Sequence, residues 1–294
     1  MRYEAMDLLK SEHSVAKMAR VLRVNASAYY QWKSRQKRQV LKHKEEEILA
    51  QKVRAVFEDS RCTYGYRKMT HALADAGITL SEYRVRHIMR SHAMYPVSAT
   101  KYRSPRADKA TGRYLDNLFK QDFKATKLNE KWAGDITCIM TSVGWVYMAA
   151  VIDLCNKEVV GYEISKKADT ELVCRALSYA LARRNITKND KLTFHCDRGV
   201  QYASKRFQTM LETNHVQGSM SRAGCPYDNA PAEGFFSTAK RECIYRKNYS
   251  DLSEVKRDLF DYIEIFYNRK RIQAGLGYVS PATRRSRIQS RKAA

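Results

Sequence analysis

The spacing of the apolar residues changes once along the chain, near residue 131, and that change allows only a two-part architecture. Ahead of it, apolar side chains recur at helical intervals. After it come three apolar runs, KWAGDITCIM, WVYMAAVIDLC and EVVGYEIS, separated by short turns at Gly144 and at Asn156-Lys157. Strands this close in sequence pair as an antiparallel meander. A helix is then expected over 170–184, with Leu172, Val173, Ala176, Leu177 and Leu181 facing inward. The strand LTFHCD, a helix around Phe207, Met210 and Leu211, and a short strand near Ser219 follow. The order βββαβα with a mixed five-stranded sheet defines an α/β fold class. Two helices are expected to close the chain, at about 229–247 and 251–269.

The front part holds two helix-turn-helix patterns. In SVAKMARVLRVNASAYYQWK, a stripe of Val15, Met18 and Leu22 breaks at Asn25-Ala26-Ser27, and a short helix with Tyr29, Tyr30 and Trp32 follows; a charged connecting helix comes next. The second pattern runs from GYRKMTHALADAG, ending on Gly77 as a helix stop, to Ser81 as the N-cap of SEYRVRHIMRSH. That last helix buries Val85, Ile88, Met89 and His92, and it shows Arg84, Arg86, His87 and Arg90 on its other faces. An apolar face toward a partner helix with arginines opposite suits a recognition helix in a major groove. A plain three-helix bundle has the same period, so the pattern alone leaves both readings open. PVSATKYRSPRADKATGR is rich in basic and small polar residues and reads as a linker. The expected division is a helical region at 1–95, a basic linker at 96–115, and the α/β part with its C-terminal helices at 116–294.

Charge narrows the partner. Lys plus Arg number 54 against 31 for Asp plus Glu, a formal net charge of +23, of which residues 1–130 carry +13. An excess of this size favours contact with a polyanion through phosphate neutralisation, although a solubilising surface would also be basic. No apolar run exceeds eight residues, Trp145 to Ile152, and the mean hydropathy is −0.59, so no membrane-spanning segment is expected. A hydrophobic content of 44% with 19 Tyr and 9 Phe excludes a disordered basic tail. The seven cysteines form no CxxC pair, and His13, His43, Cys62 and His71 lack paired ligand spacing, which excludes a disulfide framework and a zinc module. With no apolar signal segment at the start, the cysteines read as reduced thiols of a cytoplasmic protein.

Carboxylates in or beside buried strands are costly unless something pairs with them. Asp135 stands mid-strand in KWAGDITCI, on the face of Ala133 and Thr137. Asp197 ends LTFHCD, where Arg198-Gly199 turns the chain away, and Glu233 lies early in a helix entered through Pro231. There are 61 residues between the first two and 35 between the last two. A central strand, the end of its neighbour and a packed helix can bring three carboxylates to one sheet edge. Such a set of hard oxygens would hold Mg²⁺ or Mn²⁺, and two such ions can drive an in-line phosphoryl transfer. Each residue also has a structural alternative: a paired core aspartate, a turn cap and a helix-dipole partner, respectively. Asp153 in VIDLCN also follows an apolar strand, but its place just before Asn156-Lys157 suits a turn role.

The segments KWAGDIT, HCDRGVQYAS, SMSRAGCPYDNAPAEGFFSTAKRE and YNRKRIQAGLGYVSP, in this order, resemble the signature of bacterial insertion-sequence transposases of the OrfB type. This is the retroviral-integrase-like group known as insertion-sequence family three. TYGYRKMTHALADAGITLSEYRVRHIMR is similar to the helix-turn-helix module that precedes the core in that family, so the resemblance runs from about Glu45 to Pro281. It implies a ribonuclease H-like core with an Asp-Asp-Glu triad at Asp135, Asp197 and Glu233. It also implies DNA strand cleavage at the element ends, followed by attack of the freed 3′-hydroxyl on another strand. Lys240, seven residues after Glu233, matches a basic position set against terminal DNA; without the family it would read as a surface lysine. His195, Arg198, Gln201, Tyr202 and Asn229 match supporting positions, and Arg84, Arg86 and Arg90 are the expected DNA contacts of the helix-turn-helix. The implied cofactor is Mg²⁺ or Mn²⁺, as two ions. The implied partners are terminal inverted repeats and target DNA, further copies of the chain on that DNA, and an OrfA protein or fusion.

Three positions depart from the family pattern: Cys196 and Gly234 stand where Ser is common, and Gln273 where His is common. The competing reading is a DNA-binding regulator or domesticated remnant without catalysis, against which the intact triad argues. A plain ribonuclease H-type nuclease leaves the basic helix-turn-helix units without a purpose.

Overall fold

The computed structural model describes residues 1–97 and 114–293. The expected linker therefore lies largely outside the described residues. Five helices come first: α1 (Arg2–Leu8), α2 (Val15–Val21), α3 (Ala26–Asp59), α4 (Tyr66–Asp75) and α5 (Glu82–Ser91). Next come β1 (Lys131–Thr141), β2 (Gly144–Asp153), β3 (Glu158–Ser165), α6 (Thr170–Arg184), β4 (Thr193–Cys196), α7 (Lys205–Thr213) and β5 (Gln217–Met220). The chain closes with α8 (Ala230–Glu242), α9 (Leu252–Phe260), which continues into a π-helical segment, Asp261–Tyr267, and α10 (Pro281–Ala293).

The sheet order is β3-β2-β1-β4-β5, with β1–β2 and β2–β3 antiparallel and β1–β4 and β4–β5 parallel. This is the mixed five-stranded sheet expected of a ribonuclease H-like core. One face packs on α6 and α7 through Trp132, Val151, Val160, Leu177, Phe194 and Phe207. The other packs on α8, α9 and the π-helical segment through Ile139, Met148, Ile152, Phe235, Leu259 and Phe266. Two glycines permit close approaches. A Cβ at Gly134 would lie 2.3 Å from Phe194 Cζ, so only glycine lets the β4 ring pack across β1. A Cβ at Gly161 would lie 2.4 Å from the Ala176 carbonyl, and its absence lets α6 press onto β3.

The second helix-turn-helix forms as expected. Ser81 caps α5 by accepting a hydrogen bond from the Arg84 amide, Gly77 has φ +79°, and Val85, Ile88 and Met89 are buried. His92, expected inside, is exposed instead, because α5 ends at Ser91 and His92 occupies its C-cap. The expected short helix and connecting helix are one: α3 runs 34 residues from its Asn25 cap, with no Gly or Pro to interrupt it.

The helical region divides its packing. Met6, Met18, Ala19 and Tyr29 make a small cluster of their own at the start of the chain. From Ala50 onward, Val53, Phe57, Met69, Leu73, Val85 and Ile88 belong to the same apolar cluster as α8 and α9. Polar ties reinforce that junction. Tyr64 donates to the Lys270 carbonyl at 3.2 Å and accepts from the Ile272 amide at 2.8 Å, and Arg61 pairs with Asp261.

Candidate active site

Strand register sets the first two carboxylates side by side. The parallel ladder pairs Ala133 of β1 with His195 of β4, and two residues beyond each stand Asp135 and Asp197. Asp135 thus lies on β1 and Asp197 directly after the last residue of β4, and continuing the register with a side-chain period of two brings them to the same face. Helix α8 lies across that face. The Asn229 side-chain amide, just ahead of α8, donates to the Gly134 carbonyl at 3.2 Å, which anchors the helix start one residue from Asp135. Glu233 falls in the first turn of α8, where the helix dipole favours a carboxylate.

Burial first, and then the Asp197 and Glu233 carboxylates, push the Asp135 carboxyl up to about 8 against the opposing pull of the Ile136 amide and Lys240. Asp197 is raised by burial against a hydrogen bond from the Gly199 amide, and Glu233 by partial burial and then by Asp197. Three acidic groups thus feel one another across one sheet edge. In this conformation Asp135 accepts from the Ile136 amide at 2.8 Å and Asp197 from the Gly199 amide at 3.0 Å. Among the described residues no three His, Cys, Asp or Glu side chains are gathered closely enough to form a ready-made metal cluster. The donor set nevertheless fits a hard cation: Asp197 and Glu233 both raise the Asp135 carboxyl, and Asp197 raises Glu233. A divalent ion among the three would relieve that repulsion, and the Asn229 Oδ1, on the residue that ties the start of α8 to β1, is a buried acceptor with no hydrogen-bond partner.

The supporting residues play distinct parts. His195 is fully buried between Ser219 Oγ (2.8 Å from Nδ1) and Ser221 Oγ (3.2 Å from Nε2), and it stacks on Phe119. Burial lowers it to about 4, so near pH 7 it is a neutral strut that joins β4 to β5. Arg198 donates from Nε to the Ser221 carbonyl at 2.8 Å and lies over the Tyr114 ring. Gln201 donates to the Ala168 carbonyl at 2.6 Å, fixing the loop after Asp197. Tyr202 is buried against Phe194 and Phe207, and burial followed by the Asp135 charge raises its hydroxyl. Lys240 is half-buried rather than a free surface lysine, and its charge reaches Asp135. Asp153 is fully buried, accepts from the Asn129 and Cys155 amides at 3.0 Å each, and lies 3.7 Å from Arg184, as a structural turn residue should.

The expected DNA contacts on α5 differ from one another. Arg84 pairs with Glu46 of α3 at 3.0 Å, Arg86 lies over the Tyr66 ring, and Arg90 is exposed. Sequence reasoning passed over Asp228, a fully buried carboxylate that accepts from Asn117, Gln121 and Arg222 and shapes the approach to α8. Its place directly before Asn229 within a quoted motif was the available signal.

Comparison with known proteins identifies the family. Residues 125–226 and 233–287 match the family models described as integrase core domain, and residues 43–102 match an HTH-like domain. The transposase InsF for insertion sequence IS3A of Escherichia coli (strain K12) is 36% identical over 282 residues, covering 96% of this chain and 97% of its own length. The transposase for insertion sequence element IS904 of Lactococcus lactis subsp. lactis (strain IL1403) is 37% identical over 238 residues, covering 81% of this chain and 93% of its own. Among solved structures, the HTLV-2 integrase catalytic core domain in complex with magnesium (trimeric form) aligns at 14% identity with a TM-score of 0.40, over 58% of this chain and 98% of that one. With a relative this similar along nearly the whole chain, and with the core and helix-turn-helix models both matched, the protein belongs to the IS3-type insertion-sequence transposases, enzymes of the polynucleotidyl transferase class.

Proposed function

We propose that this chain cuts DNA strands at the ends of its insertion sequence and joins the freed 3′-hydroxyl to target DNA. The observation that carries the reading is the placement of Asp135 on β1 beside Asp197, directly after the end of β4, with Glu233 in the first turn of α8. Asp135, Asp197 and Glu233 would hold Mg²⁺ or Mn²⁺, as two ions, which would activate the attacking oxygen and stabilise the leaving one. The chain's own contribution is positioning. Asn229 and the Gly134–Phe194 contact fix the relative height of the three carboxylates. Lys240 sets a positive charge beside them for the phosphate under attack, and the buried His195 keeps β4 and β5 in register beneath.

In this reading residues 1–95 grip the element ends, with Arg86 and Arg90 of α5 toward the groove and Arg84 bracing α5 on α3. Residues 96–115 join them to the core at 116–294. Two ends must be processed together, which calls for several copies of the chain on the DNA and admits an OrfA partner or fusion. Among the described residues no helix is long and apolar enough to cross a membrane, and the reading places the protein with the DNA of the bacterial cytoplasm.

The test is cleavage of labelled element ends with Mg²⁺ in vitro. Asp135→Asn, Asp197→Asn and Glu233→Gln should each abolish cleavage while leaving binding to the inverted repeats largely intact. Cleavage retained by any one of the three refutes the assignment.

A further inference from the structure

A second site lies against α8, one helix face away from Glu233. It is a cavity of about 570 Å³ between α4, the β2–β3 turn, the start of α8 and the segment after the π-helical turn. That is room for a nucleotide-sized group. Its polar lining is made of donors. Lys68 is half-buried, lies over the Tyr64 ring, and has no ion pair or hydrogen bond among the described residues. Burial, and then the Arg271 guanidinium, bring the Lys68 ammonium down to about 8. Gln273 is only 9% exposed, and its buried Nε2 has just the neighbouring Tyr267 hydroxyl to donate to. Lys157, exposed at the β2–β3 turn, rests its ammonium where a Cβ at Gly275 would be 2.7 Å away. Arg271 completes the wall and is already held by Glu242 through two bonds of 2.7 Å.

Among the described residues no carboxylate lines this cavity. A half-buried ammonium with no ion pair, beside the Arg271 guanidinium and the exposed Lys157, carries a desolvation and repulsion cost that an anion would offset. Gly234, Pro231 and Thr238 of α8 form the wall nearest the triad, and a Cβ at Gly234 would meet nothing within 4 Å, so the cavity opens along the helix that carries Glu233. We infer that this cavity is a phosphate seat: Lys68, Lys157 and Gln273 hold a backbone phosphate of the DNA strand that runs past the first turns of α8. The inference rests on the DNA-cutting reading above and adds to it where the strand leaves the triad.

Binding of an element-end duplex in EDTA tests this apart from cleavage. Lys68→Gln and Lys157→Gln should weaken binding of every duplex tested, and each should lower the slope of log affinity against log salt by about one unit. Gln273→Leu should weaken binding with the slope unchanged, because it removes a donor without removing a charge. Scanning the duplex with single neutral methylphosphonate linkages should find one position that costs the wild type affinity and costs Lys68→Gln none. Lys157 is exposed, so loss of folding cannot account for its result. Unchanged slopes overturn the inference. Unchanged slopes together with a rise in Tm on adding inorganic phosphate, absent in Lys68→Gln, overturn it in favour of a free-anion site. Cleavage by the wild type with unchanged slopes refutes only this seat, whereas reduced slopes in a chain that cannot cleave refute only the catalytic reading.

Discussion

The Asn229 side-chain amide reaches across to the Gly134 carbonyl at 3.2 Å, and this one contact ties the helix bearing Glu233 to the strand bearing Asp135. A single neutral hydrogen bond stabilises a fold by about 1 kcal/mol, but a misplacement of about 1 Å at a catalytic group can cost a hundredfold in rate. Asn229→Ala should therefore lower stability by about 1 kcal/mol and cleavage by roughly a hundredfold. It should also raise the Mg²⁺ concentration needed for half-maximal rate. Single-turnover cleavage, read beside urea denaturation, checks both. A rate loss no larger than the stability loss would show that the contact positions nothing.

Asp228 works beside it as a buried clamp. It accepts from Asn117 Nδ2 at 2.8 Å, Gln121 Nε2 at 2.9 Å and the Arg222 amide at 2.9 Å, and the Arg222 side chain holds its carboxyl well below the usual carboxylate range. A lowered folded pKa contributes stability above the unfolded value of about 4, and that stability is lost as pH falls toward the folded value. Acidification below about pH 4 should therefore destabilise the wild type more steeply than Asp228→Asn. Denaturation midpoints between neutral and acid pH measure the difference. Equal steepness would mean that Asp228 is not the group being protonated. At neutral pH Asp228→Ala should cost about 2 kcal/mol, since it strands the donors of Asn117, Gln121 and Arg222.

The parts of this molecule that could be read from sequence share a physical cause. β1 to β3 are apolar runs bounded by short turns, and Asp135 stands out because it interrupts one of them where a carboxylate needs a reason to be. α4 and α5 carry their own boundary signals, Gly77 after the end of α4 and Ser81 as the N-cap of α5. What escaped lacks a local signal. α1 spans only seven residues, and α10 is strongly basic with few apolar side chains to give it a stripe. The helix expected over 229–247 stops at Glu242, and the one expected over 251–269 widens into π geometry at Asp261, where Asn268 turns to bond both the amide and the carbonyl of Val159. That arrangement depends on the sheet edge beside it. The same holds for the donor-lined cavity, whose members Lys68, Lys157 and Gln273 meet only after three distant segments pack.

Gly234 departs from the family pattern in an otherwise regular helix. The α8 backbone there is helical, and a Cβ would meet no atom within 4 Å. Glycine in a helix interior costs up to about 1 kcal/mol relative to alanine, so Gly234→Ala should stabilise the protein by about 0.5–1 kcal/mol. The gain should appear as a higher urea midpoint with an unchanged slope. A loss of stability would show that the helix start beside Glu233 is not relaxed.

The apolar cluster that runs from Val53 and Phe57 through Met69 and Ile88 to Leu259 and Phe266 makes the second helix-turn-helix part of the core's cooperative unit. The small cluster of Met6, Met18, Ala19 and Tyr29 stands outside it. Thermal unfolding should then show one main transition containing α4, α5 and the sheet, with α1, α2 and the start of α3 free to open earlier. Tyr64 sits on the junction, with its hydroxyl bonded to the Ile272 amide at 2.8 Å and the Lys270 carbonyl at 3.2 Å. Tyr64→Phe removes both bonds and should lower the stability of that main transition by about 1–2 kcal/mol without splitting it. Calorimetry decides: if the substitution shifts a separate smaller transition and leaves the sheet's melting unmoved, then the helix-turn-helix folds independently of the core and the shared cluster does not couple them.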